Sequence, residues 1–161
     1  MKKTLIGFLA LSALGTASAA NYVGGSIGTG GSIHYQTDRN ASSAVRYSLD
    51  LASTGLSFSS LRLGGSVDYL MNVPQTTPSA LVPYYGAGLG AYVGLGGGVG
   101  VSVYPHVLLG AKYNVNATPF SVFGELNAGP SIGFVTTSAG SATGFGFGWG
   151  ARLGLNYMLS N

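Results

Sequence analysis

The sequence predicts an all-β fold, an eight-stranded antiparallel, up-and-down transmembrane β-barrel. Three observations predict it: alternation of apolar and polar residues, very few charged residues, and an N-terminal secretory signal. The alternation is clearest at 144–159, where every second position is apolar or aromatic and most positions between are glycine. Alternate side chains of a strand point to opposite faces. This segment therefore has an apolar face suited to lipid and a nearly bare face suited to a barrel interior.

The N-terminal segment 1–19 has the features of a secretory signal peptide. Lys2 and Lys3 precede a short apolar stretch, and a small-residue cleavage site ends at Ala19. The apolar stretch is too short to span a bilayer, which takes about 20 residues. We therefore expect a cleaved signal at 1–19 and one outer-membrane β-barrel domain at 20–161.

The composition excludes several classes of function. Only 7% of the residues are charged, whereas a soluble domain carries about 25%. The chain has no cysteine, which rules out disulfides and thiolate metal sites. The chain after the predicted signal has five basic and four acidic residues, so we expect no basic surface that could bind nucleic acid. No metal cluster, phosphate loop or cofactor site is evident, and we expect no cofactor.

The alternation divides the chain into strands. The predicted strands are residues 21–36, 43–52, 56–71, 81–93, 99–103, 107–115, 119–135 and 144–159. The break at 104–106 depends on Pro105, which lacks the N–H donor of a sheet ladder and is expected to form a turn with its neighbours. The resulting strand number is even, as bacterial single-chain barrels require.

The same division predicts which connections share a side of the membrane. With the N-terminus in the periplasm, the predicted outer loops are 37–42, 72–80, 104–106 and 136–143. The predicted inner turns are 53–55, 94–98 and 116–118. None of these loops is long enough to form a binding domain of its own.

The positions of the charged residues test which face of each predicted strand points into the barrel. Asp38 and Arg39 fall in the first predicted outer loop, and seven other charged residues all fall at inward positions of their strands. These seven form the predicted lumen charge network: Arg46, Asp50, Arg62, Asp68, Lys112, Glu125 and Arg152. A lipid-facing Arg or Lys at mid-depth costs about 2–4 kcal/mol, whereas charges of opposite sign inside the barrel can pair.

The charge network has a structural and a functional interpretation. Eight strands enclose an interior just wide enough for side chains to fill, so a salt-bridged plug is the favoured interpretation. The alternative is a narrow, porin-like channel that conducts ions past the charged residues. A soluble ligand-binding barrel would need an apolar interior, and the inward charges disfavour it.

A second alternative is an enzyme that modifies lipid at the barrel rim. Ser32 and His34 share a strand face, and Asp38 follows in sequence, but a catalytic triad also needs an oxyanion hole. His106 lies beside Pro105 and is expected to be a turn residue. We therefore predict no catalytic residues and no enzymatic activity.

Three segments resemble a known family. They are PYYGAGLG at 83–90, GAKY at 110–113 and GARLGLNY at 150–157. They are similar to the glycine-rich strands of small outer-membrane β-barrels related to the OmpA transmembrane domain and OmpX. The resemblance implies insertion by the outer-membrane assembly machinery. From the lipid-facing pattern of the strands we expect contact with outer-membrane lipids, and we expect a structural role in envelope integrity, or surface interaction through short loops.

Overall fold

The computed structural model describes residues 20–53, 61–77, 79–95, 99–137 and 140–159. These residues form a closed barrel of eight antiparallel strands, each paired with its neighbours in sequence, with the last paired to the first. The strands are β1 (Asn21–Gly28), β2 (Gly30–Asn40), β3 (Ser43–Ser53), β4 (Leu61–Asn72), β5 (Leu81–Leu95), β6 (Val99–Asn114), β7 (Phe120–Thr137) and β8 (Gly140–Leu159). The predicted fold class is confirmed. The predicted signal at 1–19 and the start of the third predicted strand, 56–60, lie outside the described residues.

The first predicted strand, 21–36, is wrong as a single element, because the chain reverses direction at Thr29. Ile27 pairs with Gly31, so only three residues make the reversal. The glycines on either side of Thr29 carry no side chains that would crowd the reversal.

The predicted turn at 104–106 is also wrong, because β6 runs through it without a break. The ladder to β5 continues at the pair Leu89 and Pro105. The ladder to β7 lapses between the pairs at Val103 and Val107, where the register sets Pro105 opposite Pro130. Two residues without an N–H donor face each other there, so ladder bonds are lost although both strands continue.

The strands lengthen around the barrel, from 8 residues in β1 to 20 in β8. At one end, here called the terminus end, Asn21 pairs with both Thr37 and Leu159. At the opposite end, here called the Thr29 end, β1 stops at Gly28 opposite Arg152. Residues 141–150 of β8 therefore pair with β7 but not with β1, and the wall is low at the β1–β2 turn and high at β7 and β8.

The predicted grouping of loops changes with these corrections. The connections at 41–42, at 73–77 with 79–80, and at 115–119 lie at the terminus end, on the same side as Asn21 and Leu159. The predicted outer loops 37–42 and 72–80 therefore lie beside the termini, and only 136–143 lies at the opposite end. The sequence prediction missed the reversal at Thr29 and added one at 104–106, and these two errors move the loops between them to the other end of the barrel.

Apolar side chains cover the outer surface of the barrel. Leu49, Leu109 and Leu126 are 63%, 62% and 59% exposed, although each lies in the middle of a strand. Outward aromatic residues form a band at the terminus end: Tyr35, Tyr47, Tyr69, Tyr85, Tyr113, Phe120 and Tyr157. This arrangement matches a lipid-facing belt with an aromatic girdle at one interface.

Candidate functional site in the barrel interior

Two ion pairs form directly between neighbouring strands. Arg46 on β3 is the register partner of Asp68 on β4, and its Nε and Nη2 atoms donate to Oδ2 at 3.1 Å and 2.9 Å. Glu125 on β7 is the register partner of Arg152 on β8, whose Nε donates to Oε1 at 2.7 Å. Both pairs point inward because the four residues lie on the inward parity of their strands.

Two further bonds join these pairs across the lumen. Arg46 Nη2 donates to Glu125 Oε2 at 2.6 Å, and Arg152 Nη2 donates to Asp68 Oδ2 at 3.1 Å. The four side chains thus alternate in charge around a closed circuit, here called the ion-pair ring. It connects β3 and β4 with β7 and β8, which lie on opposite sides of the barrel.

Three of the four members of the ion-pair ring are almost completely removed from water, and the side chain of Arg152 is 14% exposed. Asp68, Arg46 and Glu125 are 0%, 1% and 3% exposed. Buried charges are tolerated only when they are paired and hydrogen-bonded. The ring satisfies this condition because two guanidinium groups offset two carboxylates.

Three more side chains support the ring. The hydroxyl of Tyr84 donates to Glu125 Oε2 at 3.0 Å, and Nε2 of His106 lies 3.1 Å from Asp68 Oδ1. The Arg46 guanidinium carbon lies 5.5 Å from the centre of the Phe123 ring, a cation–π arrangement. The interior at this level is therefore filled by side chains.

The other predicted residues lie away from the ring. Asp50 accepts hydrogen bonds from Ser66 at 2.8 Å and Tyr92 at 3.3 Å, nearer the Thr29 end. Arg62 is exposed at that end and forms no ion pair with any described residue. Lys112 lies toward the terminus end, with Nζ 5.6 Å from the centre of the Tyr22 ring. The structure brings together four of the seven residues.

Inward glycines leave the space that these side chains occupy. A Cβ on Gly88 would collide with the carboxylate of Asp68 and lie 2.7 Å from Nε2 of His106. A Cβ on Gly110 would lie 2.6 Å from the ring of Tyr84. The alternation of bulky and bare inward positions therefore permits the ring to close.

His106 is the functional neighbour that sequence reasoning missed. It was expected in a turn, but it lies within β6, is 8% exposed, and also uses Nδ1 against the Tyr104 carbonyl oxygen at 3.1 Å. Its even number gives it the same inward parity as Lys112 on the same strand. That parity was the available signal, and the proline obscured it.

The side chains considered for catalysis are engaged elsewhere. The Ser32 hydroxyl lies 2.7 Å from that of Ser26, and His34 Nε2 lies 2.6 Å from Oδ1 of Asn156. Asp38 accepts from Tyr22 at 3.2 Å. His34 is 6% exposed, so its side chain is buried in the barrel interior and does not lie at a rim. The three residues do not form a triad.

Cavities lie on both sides of the ion-pair ring. The cavity toward the Thr29 end has a volume of about 610 Å³ and includes Arg152 in its lining. The one toward the terminus end, bordered by Arg46 and Phe123, has a volume of about 10 Å³, close to the minimum for one water molecule. The ring separates the two.

Two kinds of feature are absent from the described residues. No group of three or more His, Asp or Glu side chains there could hold a metal ion. Within the same part of the chain, no helix is long and apolar enough to cross a membrane.

The fold and the apolar outer surface define a β-barrel of the outer-membrane type. The chain is similar in structure to the N-terminal β-barrel domain of Pseudomonas aeruginosa OprF, with 14% identity and a TM-score of 0.58 over 88% of this chain and 96% of that one. It is also similar to a major outer membrane protein from Thermus thermophilus, with 15% identity and a TM-score of 0.52 over 88% of this chain and 100% of that one.

These comparisons confirm, at the level of the fold, the resemblance to small outer-membrane barrels. The second name agrees with the outer-membrane location predicted from the sequence. No family model and no curated protein sequence matches the chain.

Proposed function

We propose that this protein is an integral outer-membrane barrel with a structural role in the envelope, or in surface interaction through its short loops, and that its lumen is closed. The ion-pair ring carries the proposal. Its four charges are bonded to one another across the lumen, so none is left to attract a passing ion. A conducting pathway needs a continuous water-filled passage, whereas side chains fill the lumen at the level of the ring, where Asp68 is 0% exposed.

Outer-membrane lipids and the outer-membrane assembly machinery are the proposed partners. The apolar outer surface supports the first, since side chains such as Leu109 would otherwise be exposed to water at 62%. The predicted signal supports the second, because a barrel secreted in unfolded form has to be inserted from the periplasmic side. The proposed role is not catalytic, and the separate bonding of Ser32 and His34 supports this.

Conductance measurement tests the closed lumen. The protein, refolded into planar lipid bilayers, is expected to give no resolved current steps, while its band on an unheated gel shifts after heating. The variant Arg46→Ala/Glu125→Ala removes both side chains of one of the two bonds that cross the lumen, and we expect it to produce small steps. Ion-selective steps from the unaltered protein, with the heat-shifted band present, would instead establish the narrow channel.

A further inference from the structure

The cavity at the Thr29 end reaches the outer face of the barrel over the low rim at the β1–β2 turn. Its lining includes the inward residues Asp50 and Arg152, but also Leu51 and Trp149, which point outward on β3 and β8. Leu51 is the register partner of Gly31 beside the β1–β2 turn, and Trp149 lies just beyond the last bond of the β1–β8 seam, from Thr29 N to Ala151 O. The cavity therefore opens sideways over that turn.

This side opening is the low point of the wall. The turn contributes Gly28, Gly30 and Gly31, and the facing part of β8 contributes Gly148 and Gly150. Thr29 is the one residue between these turn glycines with a side chain. Among the described residues, an extended chain of carbon atoms meets no bulky group at this turn, and outside it would meet the indole of Trp149, which is 73% exposed.

The cavity contains several polar side chains, and one cation in its lining has no ion-pair partner among the described residues. Arg152 is bonded to Asp68 and Glu125, and Asp50 accepts from Ser66 and Tyr92. Arg62 lines the same cavity and has no ion-pair partner among the described residues. The cavity volume of about 610 Å³ falls within the range of small-molecule sites.

We propose that this cavity binds a single-chain anionic amphiphile from the membrane. The anionic head lies inside and pairs with Arg62, and the acyl chain leaves through the side opening and lies along Trp149. The ion-pair ring forms the floor, so the ligand enters and leaves on one side and does not cross the barrel. The site thus adds ligand binding to a barrel whose lumen is closed.

Trp149 provides the measurement, because it is the only tryptophan. The full barrel in phosphatidylcholine vesicles is titrated with a dibrominated stearate, whose bromine atoms quench nearby indole fluorescence. We expect saturable quenching that unbrominated stearate reverses. A dibrominated monoacylglycerol, which has the same chain but no charge, should give only weak quenching proportional to its concentration.

Two variants with matched controls locate the site. Arg62→Gln is expected to weaken saturable binding about tenfold or more, since a charge-assisted bond is lost, whereas Lys112→Gln at the terminus end should not change it. Gly31→Leu should place a bulky side chain in the opening and reduce quenching. The barrel should tolerate the substitution, because a Cβ at this position has no atom nearer than 4.0 Å. Gly144→Leu is its control.

The heating shift on a gel verifies that each variant is folded. Equal quenching by the charged and neutral probes, or saturable quenching unaffected by Arg62→Gln, would overturn the proposal. Neither result bears on the closed lumen, which the conductance measurement tests separately.

Discussion

Arg46 and Glu125 lie on strands on opposite sides of the barrel, and Arg46 Nη2 donates a hydrogen bond of 2.6 Å to Glu125 Oε2 across the lumen. Together with the bond of 3.1 Å from Arg152 Nη2 to Asp68 Oδ2, this bond links two cross-strand ion pairs that would otherwise be local. Four residues distant in sequence are thereby joined in one circuit, and the register of β3 and β4 is tied to that of β7 and β8.

Removing one member of the circuit leaves its partners buried without compensation. We expect Glu125→Ala to lower the free energy of unfolding by about 3–5 kcal/mol, the range for breaking a buried pair. Asp38→Asn, at the terminus end, should lower it by only about 1 kcal/mol. Urea unfolding in lipid vesicles, followed by Trp149 fluorescence and the gel shift, measures both. Equal losses in the two variants would contradict the energetic role of the ring.

Two adjacent tyrosines isolate the contribution of one hydrogen bond. Tyr84→Phe removes the hydroxyl that donates to Glu125 at 3.0 Å, and a bond to a charged group is worth about 1.5–3 kcal/mol. Tyr85 points to the opposite face and is 46% exposed, so Tyr85→Phe should change stability by less than about 0.5 kcal/mol. The same unfolding assay compares them, and a larger loss from Tyr85→Phe would show that the assignment of faces is wrong.

Two glycine positions differ in the space around them. A Cβ on Gly129 would collide with the Pro105 carbonyl oxygen and lie 2.8 Å from the His106 Cα, where the β6–β7 ladder has lapsed. Gly129→Ala is therefore expected to cost about 1–3 kcal/mol through overpacking. Gly144 has nothing within 4 Å, and Gly144→Ala should be neutral. A stable Gly129→Ala barrel would mean that the two strands can separate at this point.

Single cysteines can establish the orientation, because the chain contains none. Thr29 and Thr76 are both exposed and lie at opposite ends of the barrel. With the N-terminus in the periplasm, Thr29→Cys should react with a membrane-impermeant maleimide on intact cells. Thr76→Cys should react only after the outer membrane is permeabilised. The reverse pattern would place both termini at the cell surface.

The fold class followed from the alternation of side chains, but the strand boundaries did not. Gly28 and Gly30, on either side of the reversal at Thr29, both have inward parity, so a tight turn at an odd position leaves the pattern unchanged. Parity is also continuous through Pro105, although its missing N–H donor predicts the end of a strand there. One missed turn and one extra turn offset each other, which preserved the strand number while exchanging the sides of several loops.

The inward direction of the charges was predictable from parity, whereas their pairing was not. Which residues meet across the lumen depends on the stagger between strands, and that stagger depends on turn positions. Correct placement of Thr29 and of the continuous β6 is needed before Arg46 and Glu125 can be seen to face each other, or before His106 is assigned to the interior.

The increase in strand length from β1 to β8 has a consequence for the order in which the barrel forms. The shortest strand, of 8 residues, completes the cylinder against the longest, of 20 residues. This final pairing joins Asn21 to Leu159, and contacts so distant in sequence form slowly because a long loop must first close. Closure between β1 and β8 is therefore the last step of assembly.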